Sequence, residues 1–75
     1  MVLLDVREDL RQGREPFQRI MAAAAALPAG EDMELIAPFE PVPLYVVLEN
    51  RGFSHVSRQT DEGFWRVVFR REYAE

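Results

Sequence analysis

The chain has 75 residues, a net charge of −4, no cysteine and no lysine, so that all nine basic residues are arginines. Without these two side chains the protein has no disulfide, no thiolate nucleophile and no Schiff-base lysine. The acidic balance also argues against non-specific binding of nucleic acid, which relies on clustered positive charge.

Size limits what the chain can build. We expect residues 1–75 to form a single domain, near the lower length limit of independent folding. The 48% share of hydrophobic residues suits a small core rather than disorder. Because that core needs nearly every apolar side chain, a deep catalytic cleft is hard to build. We therefore expect a binding module, carrier or subunit without a cofactor rather than an enzyme.

The longest apolar run, Ile20 to Ala29, has ten residues and is too short to span a bilayer. It also lies too far inside the chain to be a signal peptide. We therefore expect a cytoplasmic protein that does not enter a membrane.

The first half of the chain predicts a strand, a helix and a second strand. Residues 2–6 alternate as a short strand, and residues 7–14 form a polar loop. A helix is expected to begin at Glu15-Pro16, because proline is favoured in the first helical turn. One apolar stripe at helical spacing follows, made of Phe17, Ile20, Met21, Ala24 and Leu27. The chain turns at Pro28-Ala29-Gly30, and residues 32–37 predict the second strand.

The second half predicts a helix and a hairpin. Three prolines stiffen residues 38–43, and a helix follows from Pro43 to Arg51, with Gly52 as its C-terminal cap. Residues 53–60 and 64–70 predict two strands joined by a turn at 61–63. The residues after Arg70 are expected to form a frayed tail.

The element order β-α-β-α-β-β predicts a two-layer α/β sandwich with two helices on one face of a four-stranded sheet. In the last strand, Trp65, Val67 and Phe69 are expected to pack under the helices. The opposite, open face carries Phe64, Arg66, Val68 and Arg70. This face is either a surface for a protein partner or an ordinary amphipathic outer face.

The segments Leu4-Asp5-Val6-Arg7 and Glu15-Pro16 resemble the TusA/SirA family of small sulfur carriers. In that family a Cys-Pro-x-Pro motif opens the first long helix, and its cysteine carries a persulfide sulfur. When Pro16 is aligned with the last proline of that motif, Gly13 stands at the position of the cysteine. Because the chain has no cysteine at all, thiol-based sulfur transfer is impossible in it. The resemblance implies a mixed sheet with strand order 1-2-4-3, in which strand four is antiparallel to the others.

The chain is also similar to a branch of TusA-like domains that lack the cysteine and are sometimes attached to hemerythrin-like domains. Pro43-Leu44-Tyr45 and Trp65-Arg66-Val67 are marks shared with that branch. Its loop before the second helix is often richer in Asn, Asp and His, whereas this chain has Ala37-Pro38-Phe39-Glu40-Pro41. The branch is uncharacterised, so the resemblance implies a fold more than an activity. The missing cysteine and the open sheet face lead us to expect a non-catalytic interaction or regulatory module.

One cluster of arginines predicts an alternative function. Arg7, Arg11 and Arg14 precede the predicted helix start at Glu15, where free N–H groups favour an anion. A sulfate, phosphate or carboxylate ligand is therefore one hypothesis. The second hypothesis is a loop of solvated salt bridges, because acidic residues, Glu15 among them, alternate with these arginines and could pair with them.

Two aromatic positions complete the candidates. His55 is the only histidine and lies on the expected edge strand, so we expect a structural residue rather than a metal ligand. Tyr45 follows the proline-rich segment close to Phe39. The two rings either stack on a ligand or make a staple-like contact at the helix entry, and we favour the contact.

Overall fold

A computed structural model describes residues 1–72 and contains a mixed four-stranded sheet with strand order β1-β2-β4-β3. The strands are β1 (Val2–Asp5), β2 (Asp32–Ala37), β3 (Phe53–Gln59) and β4 (Trp65–Arg71). β1 is parallel to β2, and β4 runs antiparallel to both β2 and β3. The predicted strand order and directions are confirmed.

Three helices connect the strands: α1 (Arg7–Arg11), α2 (Phe17–Ala26) and α3 (Val42–Glu49). The prediction of a loop over residues 7–14, and hence of only two helices, was wrong. The short helix α1 has the acidic residues Glu8 and Asp9 near its start and Arg11 at its end, which suits the helix dipole. Gly13 then turns the chain at a φ of 77°.

The longer helices begin at prolines. Pro16 is the N-cap residue of α2, and the Glu15 Oε1 atom accepts a hydrogen bond of 2.8 Å from the Phe17 N–H. That bond satisfies one of the amides that a helix start leaves without an intrahelical partner. Pro41 is the N-cap residue of α3, and Pro43 lies in its first turn. α3 thus begins one residue earlier and ends two residues earlier than predicted.

The core lies between the sheet and the helices α2 and α3. Both helices contribute to one buried cluster, since Ile20 and Ala24 of α2 join Leu48 of α3 against the alternate residues of the strands. The cluster comprises Leu4, Val6, Ile20, Ala24, Leu27, Met33, Leu35, Ala37, Leu48, Phe53, Val67 and Phe69. Both helices therefore pack on the same face of the sheet, as predicted.

β4 departs from the prediction at its end. Val67 and Phe69 are fully buried as expected, but Trp65 is only partly buried. Arg71 extends the strand and is 8% exposed, where a frayed tail was expected. Its Nη2 atom donates to the carbonyl of Ala24 at 3.0 Å, at the end of α2. The last part of the predicted tail, residues 73–75, lies outside the described residues.

Within residues 1–72, none of the helices has the length and apolar character required to cross a membrane.

Candidate functional site

An apolar groove of about 220 Å³ opens at the carboxyl ends of β1 and β2. We call it the α2–α3 groove. Its walls include Leu10, Pro16, Phe17, Phe39, Leu44 and Val47, which come from the three helices and from the segment before α3. Four separate parts of the chain thus build one hydrophobic concavity, which is the usual character of a binding site.

Two phenylalanine side chains at the groove remain exposed. Phe17 is the first residue of α2 and is 39% exposed. Phe39 lies between two prolines and is 53% exposed. Pro38 and Pro41, on the two sides of Phe39, restrict the backbone and keep this segment out of β2 and α3. Large apolar side chains grouped around a concavity are a feature of surfaces that bind another molecule.

Glu15 is the one ionisable residue among the described residues that line the groove. Its Oε1 atom accepts the Phe17 N–H, which fixes the carboxylate beside the groove. In the part of the chain that the structure describes, no arginine or histidine pairs with Glu15 within 4 Å. The groove therefore combines an apolar wall with one negative charge.

Arg7, the first residue of the predicted anion site, forms a two-point ion pair with Asp5. Its Nε and Nη2 atoms donate to the two carboxylate oxygens at 2.9 and 2.7 Å. The hydrogen bonds from Arg7 lower the pKa of Asp5 below its ordinary value. The guanidinium also lies 4.3 Å from the centre of the Phe64 ring, a cation–π geometry.

The other two predicted arginines also have carboxylate partners. Arg11 pairs with Glu8 at 3.1 Å, and Arg14 pairs with Asp9 at 3.2 Å. Asp9 additionally accepts a 2.6 Å bond from Arg19 of α2, and these arginines lower the pKa of Asp9. The salt bridges of the second hypothesis are thus present, and each of the three guanidinium groups pairs with a different carboxylate.

The predicted partner surface lies on the open face of the sheet. Arg66 contacts Glu34 at 3.4 Å, and Arg70 binds Asp32 through two bonds of 2.7 and 3.2 Å. The bonds from Arg70 lower the pKa of Asp32. Val68 lies between the two arginines and is half-buried. Phe64 has Arg7 on its ring and Arg66 at 5.8 Å. The charges of this face are therefore largely paired within the chain.

Tyr45 stacks on His55 rather than on Phe39. The two ring centres are 3.9 Å apart with an interplanar angle of 12°, and Phe69 lies about 6 Å from both rings. The Tyr45 hydroxyl donates to Glu40 at 3.2 Å, and burial raises the pKa of Tyr45. His55 is therefore part of the packing between α3 and β3, as expected of a structural residue.

Within residues 1–72, no group of three His, Cys, Asp or Glu residues is placed to hold a metal ion.

Comparison with known proteins gives a family without an assigned activity. No curated protein and no solved structure matches the chain significantly. The model of a family described as an uncharacterized conserved protein, DUF2249, matches residues 3–71 and so includes every strand and helix described above apart from the first residue of β1. The chain belongs to this family of uncharacterized conserved proteins.

Proposed function

We propose that the protein is a non-catalytic interaction module that binds a partner protein through the α2–α3 groove. The partner supplies a large apolar side chain that enters the groove and a neighbouring basic residue that pairs with Glu15. The observation that carries this proposal is the exposure of Phe17 and Phe39 around an apolar concavity.

Burial of an apolar anchor would provide the affinity. Removing a leucine- or phenylalanine-sized side chain from water contributes about 1.5–3 kcal/mol. The exposed faces of Phe17 and Phe39 would lose water at the same time. A groove that accepts one or two side chains therefore supports weak, reversible association rather than a permanent complex.

The negative charge of Glu15 indicates that the partner carries a basic residue next to its apolar anchor. Glu15 has no ion-pair partner among the described residues, and the chain as a whole carries a net charge of −4. An arginine or lysine next to the apolar anchor would meet this carboxylate. Charge complementarity of this kind improves orientation and association rate more than affinity.

The chemistry of the groove favours binding over catalysis. Its described lining contains prolines, aliphatic side chains, two phenylalanines and one glutamate, and the chain has no cysteine. The glutamate already accepts a helix amide. The resemblance to sulfur carriers fits this proposal, because with Pro16 aligned to the last proline of their motif the cysteine position falls at Gly13, two residues before Glu15 of the groove. The module would keep the carrier scaffold without the thiol.

Selection from a random short-peptide library against the immobilised protein tests the proposal. We expect enrichment of peptides in which a large aliphatic or aromatic residue is next to Arg or Lys. Phe39→Ala should abolish the enrichment. Val46→Ala is the matched control, because Val46 is 61% exposed on α3 and does not line the groove.

A third variant separates charge from shape. Glu15→Gln should retain the preference for an apolar residue and lose the preference for a basic neighbour. Enriched peptides without an apolar residue, or equal enrichment with Phe39→Ala and the unchanged protein, would contradict the proposal. Selection of peptides that need Arg66 and Arg70 would instead assign the function to the open sheet face.

A further inference from the structure

β3 is the longer of the two edge strands of the sheet. The strand order places β1 and β3 at the two edges of the sheet, and β1 has four residues whereas β3 has seven. β3 pairs with β4 in an unbroken register and contains no proline. Proteins commonly protect a long edge with a bulge, a proline or charged side chains, and the one such feature in β3 is the charge of Arg58.

The hydrogen-bond pattern shows which backbone groups face outward. The Thr60 N–H donates to the Phe64 carbonyl, and the Glu72 N–H donates to the Gly52 carbonyl, at the two ends of the β3–β4 pair. In this register the even-numbered residues of β3 are the ones whose backbone groups bond to β4. Along an antiparallel strand these roles alternate. The N–H and C=O groups of the odd-numbered residues, from Phe53 to Gln59, therefore point away from the sheet.

We propose that two copies of the chain pair along β3, antiparallel and about a two-fold axis at Val56, to form one continuous eight-stranded sheet. Val56 is the central residue of β3. A two-fold axis at this position aligns His55 with Ser57 of the second copy, so that odd-numbered residues exchange bonds with odd-numbered residues. The outward-facing backbone groups of both copies are then satisfied in the same register.

Side-chain burial favours this axis. Val56 is 75% exposed on the open face, at the middle of the edge strand. At the axis the two Val56 residues form a pair without mutual backbone bonds, in which the Cα atoms are about 4.5 Å apart and the side chains are closest. Each valine would cover the other.

Charge complementarity also favours this register. Arg58 lies directly opposite Arg66, and like charges in this position destabilise a sheet. Among residues 1–72, Arg66 has Glu34 as a partner, whereas no carboxylate lies within 4 Å of Arg58. The proposed register brings Arg58 opposite Ser54 of the second copy. The Ser54 hydroxyl donates to the Glu72 carboxylate, so each Arg58 would gain an acidic partner.

The first test is the mass in solution by sedimentation equilibrium. We expect twice the chain mass of 8.7 kDa for the unchanged protein. Val56→Arg places two like charges at the axis and should weaken the dimer by about 100-fold or more. Leu3→Arg is the control, because Leu3 is 59% exposed on the opposite edge strand. A monomer for the unchanged protein, or a dimer that survives Val56→Arg, would overturn the proposal.

Single cysteines test the register, since the chain has none of its own. Val56→Cys should form an intermolecular disulfide under mild oxidation, because about 4.5 Å between Cα atoms lies within disulfide range. Arg58→Cys should not, since its two copies would be more than about 13 Å apart. The double variant Ser54→Cys/Arg58→Cys should crosslink again. Crosslinking by Arg58→Cys alone, or by Leu3→Cys in place of Val56→Cys, would exclude this pairing.

A charge reversal adds a rescue experiment. Arg58→Glu should weaken the dimer by placing two carboxylates together, and Arg58→Glu/Glu72→Arg should restore it. The dimer does not involve the α2–α3 groove, so these variants leave peptide binding unchanged, and either proposal can fail while the other stands.

Discussion

Arg71 provides the most direct test of how the sheet holds α2. Its Nη2 atom donates to the Ala24 carbonyl at 3.0 Å, and its guanidinium lies 4.8 Å from the centre of the Phe53 ring. Arg71→Met keeps most of the apolar stem and removes the hydrogen bond to Ala24 and the cation–π contact with Phe53. The carbonyl of Ala24 still accepts the Leu27 N–H at 3.1 Å, so it does not become an orphan.

The expected loss follows from these contacts. A hydrogen bond from a charged donor contributes about 1.5–3 kcal/mol, and a buried cation–π contact adds about 1–2 kcal/mol. Part of this loss in the free energy of unfolding is offset, because methionine removes the cost of burying the Arg71 charge. We therefore expect Arg71→Met to lower the free energy of unfolding by about 2 kcal/mol. In a domain of this size that corresponds to a fall in Tm of about 8–16 °C.

Urea unfolding followed by circular dichroism measures the change. Arg70→Met is the matched control, because Arg70 is the neighbouring arginine but its side chain is 53% exposed. The control should unfold close to the unchanged protein, since exposed ion pairs contribute little. Equal stability of Arg71→Met and the unchanged protein would refute the assignment of Arg71 as the residue that holds the end of α2.

Three further predictions concern the core, a helix start and pH. Leu48→Ala should reduce the free energy of unfolding by about 2–5 kcal/mol in urea titrations, because Leu48 is fully buried. A smaller loss would show that neighbouring residues move in to fill the cavity that the substitution leaves. Glu15→Ala should cost about 1 kcal/mol and speed amide exchange in the first turn of α2 only. The pKa values of Asp5, Asp9 and Asp32 are lowered by their arginines, so the stability that these pairs provide is complete above the ordinary pKa of 3.8 and is lost as the pH falls through the lower folded values. A Tm that stays constant through this acid range would contradict the ion pairs.

The anion-binding hypothesis has its own measurement. Titration of the labelled protein with sulfate or phosphate should give no saturable amide shifts in residues 7–17, because Arg7, Arg11 and Arg14 each have a carboxylate partner. Saturable shifts confined to these residues would restore the anion site as the better proposal. Replacing the three arginines by glutamine should then abolish the shifts.

The sequence predicted the elements whose apolar residues repeat regularly. α2 was visible from Ile20 and Ala24 at helical spacing, and β4 from the alternation of Val67 and Phe69. α1 was missed because Leu10 is its one apolar residue, so no period exists to detect. The acidic residues in its first turn and Arg11 in its last were the available signal.

The candidate site was harder to predict, because no local pattern contains it. The α2–α3 groove joins segments as distant as Leu10 and Val47, and only the fold brings them together. A weak signal existed in Phe17 and Phe39, two large apolar residues next to prolines at the ends of elements. Arg71 was missed for a different reason: an arginine at a strand end suggests solvent, and only the position of α2 above it makes burial favourable.

The most direct test of the proposed function is an NMR titration of the isotope-labelled protein with acetyl-Phe-Arg-amide. The account predicts saturable shifts confined to the groove, at Leu10, Phe17, Ala37 and Leu44, and weaker binding of acetyl-Phe-Glu-amide because of Glu15. Shifts on the open face of β4, or equal binding of the two peptides, would contradict it.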